Sequence, residues 1–210
     1  MTEQQAEAYV FSPLGGRLCL NFANTTAWYR SAGEAHGDHL DSYADLVEFG
    51  RQMGVISDDE AVTLRAEAER HPGEAATMLE QARRLRGALY RVFLARSEGG
   101  VADEHDLDVV NRAVADAYAH ARLVQGGDGF ELRWEGHVAL DKPLWAVAQS
   151  ALEVLTSTEV TKVHACDGET CGWLFVDTSK NHSRRWCSMA DCGNRAKARR
   201  HYHRAKGGEG

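Results

Sequence analysis

The chain has 210 residues, enough for one ordinary domain with a small appendage, and it contains no apolar run long enough to span a bilayer. Its formal net charge of -7 conceals a division: Lys180 to Lys206 holds nine Lys or Arg against the single acid Asp191, while the residues before Lys180 hold fifteen bases and twenty-nine acids. The sequence pI near 5.8 thus describes the body, and the segregated basic tail is the electrostatic footprint of nucleic-acid binding.

The opening MTEQQAEAYVFSPLGG has neither a basic n-region nor an apolar h-region, so the expected setting is the reducing cytoplasm. The body reads as mainly α with a small β component. Ser42 to Met53 predicts a short helix with Tyr43, Leu46, Val47 and Phe49 facing inward. Ser57 and Glu60 form a capping box that opens a second helix through Ala61, Leu64 and Ala68, ending near His71 and Pro72. The longest periodic run follows, with Met78, Leu79, Ala82, Leu85, Leu89, Val92 and Phe93 at helical spacing.

Acids from Asp103 to Asp108 suit the positive end of the next helix, whose apolar face is Leu107, Val110, Val114 and Ala117. Gly126, Gly127 and Gly129 then mark a turn between two strands, Ala121 to Val124 and Phe130 to Trp134. Pro143 is placed for a first helical turn, and Leu144, Val147, Ala148, Ala151, Leu152 and Leu155 form the buried face behind it.

Near the C-terminus stand two matched pairs, Cys166 with Cys171 and Cys187 with Cys192, each spaced C-x4-C. Zn2+ binds thiolate sulfur tightly and prefers four ligands in a tetrahedron, so two close pairs across one loop satisfy one ion. Disulfides suit the expected compartment poorly, and a redox switch that expels metal is the other alternative. His164 and His182 are reserve ligands. Trp173 to Val176 reads as a short strand, and the helix formers from Asp191 onward complete a treble-clef-like order in which Cys192 lies at a helix start.

Four thiolates close the tetrahedron and leave no position for water or substrate; with no H-E-x-x-H, G-x-S-x-G or phosphate loop in the chain, no enzymatic activity is expected. Cys19, alone among apolar neighbours, reads as a buried inert thiol.

The run FVDTSKNHSRRWCSMADCGNRAKARRHYHR, with Cys-Gly-Asn-Arg at Cys192 to Arg195, resembles the CGNR zinc finger. GRLCLNFANT at Gly16 to Thr25 resembles the start of the ABATE domain found ahead of that finger in bacterial proteins. Such proteins usually read Leu-Asp-Phe-Val-Asn-Thr where this chain has Leu20-Asn21-Phe22-Ala23-Asn24-Thr25, so one charge is missing at Asn21. The resemblance implies a stress-responsive transcription regulator with two parts. These are a helical ABATE-like regulatory domain over 1–158 and a finger with a basic C-terminal helix over 159–210, holding one structural Zn2+.

Arg195 and Arg199 share a helix face, as do Arg200 and Arg204, with Lys197 between the rows. Such a helix can enter the major groove of double-stranded DNA, with Arg184 and Arg185 on the preceding loop as phosphate contacts. Arg185 equally suits a cation-π stack on Trp186. The competing readings are a cationic helix docked on the acidic body, and a protein or RNA interaction module. One finger gives a modest footprint, so specific recognition calls for a homodimer or a second contact surface.

A small-molecule effector is the reading for Asn21, Asn24, Thr25 and Trp28, whose spacing places amides and a hydroxyl on one face, with Arg86 and Trp134 as further candidates. The same groups also suit satisfaction of buried backbone where helices meet.

Overall fold

A computed structural model describes residues 9–26, 37–135 and 139–207. In chain order these form α1 (Leu18–Ala23), α2 (Tyr43–Gln52), α3 (Asp58–Arg70), α4 (Pro72–Ser97), α5 (Glu104–Ala119), β1 (Ala121–Gly126), β2 (Gly129–Trp134) and α6 (Lys142–Thr156). A 3-10 turn (Thr158–Lys162), β3 (Val163–Ala165), β4 (Leu174–Val176), a π turn (Met189–Gly193) and α7 (Asn194–Gly207) complete the chain. Among the described residues the fold is therefore mainly α with two small antiparallel hairpins. No helix among the described residues is long and apolar enough to cross a membrane.

Local chemistry explains most boundaries. The Glu60 amide donates to Ser57 Oγ at 3.2 Å and the Ser57 amide donates to Glu60 Oε2 at 2.7 Å, a reciprocal cap on α3. The other Glu60 oxygen accepts Lys142 Nζ at 2.6 Å and so clips the start of α6 to the start of α3. α4 begins earlier than the apolar periodicity of Met78 to Phe93 indicates. Pro72 occupies its first turn, where the missing N–H has no partner to lose, and the helix runs 26 residues to Ser97. Gly127 adopts a positive φ of 50° in the two-residue turn that sets the register of β1 and β2 from Ala121↔Trp134 to Gly126↔Gly129.

α1 lies at the centre. Its Cys19, Leu20, Phe22 and Ala23 are fully buried, and it packs on α4 and α6. The same core takes in Val163 of β3 and Leu174 and Val176 of β4, so packing is continuous across position 158.

Hydrogen bonds reinforce that junction. The Val176 amide donates to the Gly15 carbonyl at 3.0 Å. Asn24, one residue past α1, accepts from the Leu174 amide at 2.9 Å and donates to the Leu174 carbonyl at 2.8 Å. Trp173 Nε1 donates to the Thr26 carbonyl at 2.8 Å, and Tyr90 Oη of α4 donates to the Gly172 carbonyl at 3.1 Å. The second hairpin is thus stitched to the N-terminal motif by backbone-directed bonds.

Asn24→Ala leaves the buried amide and carbonyl of Leu174 unpaired, an expected loss of about 2–4 kcal/mol in urea unfolding at neutral pH. Asn24→Asp keeps the acceptor for the Leu174 amide but sets a buried carboxylate oxygen against the Leu174 carbonyl, so at neutral pH it should cost at least as much as Ala. A loss under about 1 kcal/mol for Ala would mean that water replaces the amide.

Candidate metal centre and basic helix

The two cysteine pairs meet because three short devices fold the chain back on itself. The Cys166 amide donates to the Trp173 carbonyl at 2.8 Å and the Cys171 amide to the Gly168 carbonyl at 3.0 Å, which curls the first C-x4-C pair into a knuckle. Gly168 has no alternative there: a Cβ would lie 2.9 Å from Cys171 Cβ, 3.1 Å from Cys192 Sγ and 3.4 Å from Cys166 Sγ. In the second pair, Ser188 Oγ accepts the Asp191 amide at 3.2 Å and the Gly193 amide reaches back to the Ser188 carbonyl at 3.0 Å, giving the π turn that carries Cys192. α7 starts directly after this turn, so the last ligand is joined to the basic helix without slack.

All four sulfurs lie within 4.8 Å of one another, with Cys171 and Cys187 at 3.6 Å and Cys187 and Cys192 at 3.9 Å. A tetrahedron with metal–sulfur bonds of about 2.3 Å places its sulfurs about 3.8 Å apart, so the residues fit Zn2+. Each is a free thiol, and Cys166, Cys187 and Cys192 are buried with Phe175, flanked by Trp173 and Trp186.

The cluster is also prepared for negative charge. Cys166 Sγ accepts amides from Gly168 at 3.4 Å and Cys187 at 3.3 Å, and Cys192 Sγ accepts Arg195 Nη2 at 3.3 Å. Hydrogen bonds from the Cys171 and Cys187 side chains, with the two amides, hold the Cys166 thiol far below its ordinary range. His164 pairs with Phe175 across the β3–β4 hairpin, and His182 is an exposed residue at φ 47°, so neither belongs to the cluster. Cys19, by contrast, is fully buried, and burial pushes its thiol up to about 12.

The loop between β4 and Cys187 is organised from within. Asp177, fully buried, accepts the Ser179 amide at 2.8 Å and the Arg184 amide at 2.9 Å. The Arg184 guanidinium donates to the Trp186 carbonyl at 3.0 Å and to that of Cys187, and lies 4.5 Å over the Phe175 ring. It is committed to holding the segment at Cys187 in place and offers little to an external phosphate.

Arg185 is exposed. It pairs with Asp167 at 2.7 Å and stacks on Trp186 at 5.3 Å.

On α7 the cations stand outward. Arg199 pairs with Glu169 of the knuckle at 3.1 Å, while Lys197, Arg200 and Arg204 are exposed and make no ion pair among the described residues. Arg185, Arg199, Arg200 and His203 border a groove of about 330 Å³ between knuckle and helix. Exposed pairs such as Arg199–Glu169 contribute only about 0–1 kcal/mol, so a phosphate can displace the carboxylate at small cost. Arg195, counted with these cations from its helical spacing, is instead bonded to a metal ligand.

The N-terminal polar residues lie elsewhere, each with intrachain partners. Asn21 Oδ1 accepts the Gly15 amide at 2.9 Å, a task that needs no charge, so the Asn in place of Asp is tolerated. Asn24 holds Leu174. Thr25 Oγ1 donates to the Phe22 carbonyl at 2.9 Å and accepts from Arg86, which is paired with Asp38 at 2.5 Å. Trp134 packs 5.9 Å from Trp145, away from this group, and Trp28 lies outside the described residues.

Residues 16–158 match the ABATE family model, described as a putative stress-induced transcription regulator. Residues 162–205 match the CGNR zinc finger. No curated protein matches the chain.

Replacing Arg195 by Gln should weaken Zn2+ affinity about 10-fold, measured by competition with a chromophoric chelator, and speed peroxide-driven metal release. Cys192→Ser is the reference for an incomplete ligand set and should hold less than one equivalent. Unchanged affinity in Arg195→Gln would reduce its bond to Cys192 to a packing contact.

Proposed function

The chain belongs to the ABATE family and ends in a CGNR zinc finger, and from these facts we propose that it is a DNA-binding transcription regulator with no enzymatic role. The observation that carries the reading is the state of α7: its cations are exposed, and Lys197, Arg200 and Arg204 have no intrachain ion pair among the described residues. An intramolecular docking of the helix on the body would have buried them. Four thiolates fill the coordination of a structural Zn2+, which speaks against metal-centred catalysis.

In this reading the metal would be held by Cys166, Cys171, Cys187 and Cys192, and its chemistry is that of a crosslink. Arg184 holds the segment at Cys187 in place, and the π turn hands that rigidity to α7. The helix, 14 residues and so about 21 Å long, suits one pass of a major groove. Arg185, Arg199 and Arg200 along the knuckle groove would contact phosphate, and Lys197 with Arg204 extend the cationic face. So small a footprint calls for a second copy of the chain for specific recognition in the cytoplasm. The helical body then serves as the regulatory half, responding to a small ligand or arranging the dimer.

The test is a titration of duplex DNA at several salt concentrations. Arg199→Ala with Arg200→Ala should keep one equivalent of zinc and reduce the slope of log affinity against log salt by about 2. An unchanged slope would remove α7 from the interface, and absence of binding even at low salt would favour a protein partner.

A further inference from the structure

Every arginine of the described body has an ion-pair partner except three. In a segment so rich in carboxylates, an arginine left without one is informative. Arg96 sits in the last turn of α4, where the helix dipole accommodates it. The other two, Arg84 on α4 and Arg112 on α5, line the same cleft.

That cleft lies between α4, α5 and α6 and encloses about 510 Å³, within the range of small-molecule sites. Its walls are apolar where the helices meet: Met78, Val109, Leu144 and the buried ring of Trp145. Asp116 and Asp141 also border it. The Asp141 carboxylate accepts Trp145 Nε1 at 3.0 Å, which fixes the indole against the wall. Asp116, one turn beyond Arg112, makes no ion pair with it among the described residues. A neighbouring hollow of about 590 Å³ offers Glu67, Glu74 and Asp141 and no base, so the two cavities differ in the charge they accept.

We infer that the α4–α5–α6 cleft binds a small organic acid with an apolar body. The carboxylate would lie between the guanidinium groups of Arg84 and Arg112, which favour a planar anion through paired N–H donors. Its hydrocarbon part would rest on Trp145, Leu144 and Val109. The assignment rests on the regulatory reading of the helical body but not on DNA contact. It also moves the effector site away from Asn21, Asn24 and Thr25, whose polar groups have intrachain partners.

The experiment is equilibrium dialysis of the zinc-loaded full chain, without DNA, against naphthoate and against the neutral naphthalene methanol. Saturable binding of naphthoate at one site is expected, at least about 10-fold tighter than the alcohol. Arg84→Gln with Arg112→Gln should abolish that preference. Both residues are exposed and without an ion pair, so the double variant should fold, as its thermal melt will verify. Equal binding of acid and alcohol, an undiminished preference in the double variant, or no saturation of naphthoate by millimolar concentration would overturn the proposal. Because no arm uses DNA, its failure leaves the DNA reading standing, and the salt titration can fail without touching it.

Discussion

The structure depends on one junction: α1 and β4, 150 residues apart, are joined by the carboxamide of Asn24, which satisfies both backbone groups of Leu174. Buried strands are costly when their amides and carbonyls lack partners, and among the described residues β4 has β3 on one side only. Asn24 and the Gly15 carbonyl together stand in for the missing neighbour, and the Trp173 indole adds a bond to the Thr26 carbonyl. The metal centre is thereby built onto the core of the body. Cys171, Gly172 and Trp173, consecutive in sequence, deliver a sulfur to the cluster, a carbonyl to Tyr90 and an indole to Thr26.

Electrostatics divides the molecule in the same place. In the body, most guanidinium groups are consumed by carboxylates, as in the chelate of Arg91 with Asp106 at 2.8 and 2.6 Å. Within the finger they do three different tasks: Arg184 organises a loop, Arg195 balances a thiolate, and the α7 cations face solvent. Their identical chemistry in sequence conceals this division of labour. What separates them is geometry, since Arg184 and Arg195 reach inward to carbonyl and sulfur acceptors that only the folded knuckle creates.

Much was legible beforehand for physical reasons. The capping box at Ser57 and Glu60, the glycines of the first hairpin and the paired cysteines each encode a local geometry with few alternatives, and each appears where its spacing indicates. The early start of α4 was hidden because residues 72–77 include Gly73, Glu74 and Thr77, which do not continue the apolar stripe that marks its later turns. The destinations of Asn21, Asn24 and Thr25 were undecidable from spacing, because a polar triad on one helix face serves a ligand or a backbone equally well. The folded contacts distinguish the two: Asn24 meets Leu174, 150 residues away, while Asn21 meets Gly15 and Thr25 meets Phe22 and Arg86. Arg184 had one usable clue, its position between an acid that caps a loop and an aromatic ring, but its acceptors are main-chain carbonyls and leave no trace in side-chain pattern.

The apolar β3–β4 ribbon bears on how such a finger can travel between proteins. Val163, Leu174 and Val176 point into the body, and severing the chain ahead of the 3-10 turn would strip them of cover. The finger is therefore not a portable cassette. Residues on either side of α1 supply it with a carbonyl, from Gly15, and a carboxamide, from Asn24, so a cut between body and finger would leave the edge of β4 without partners.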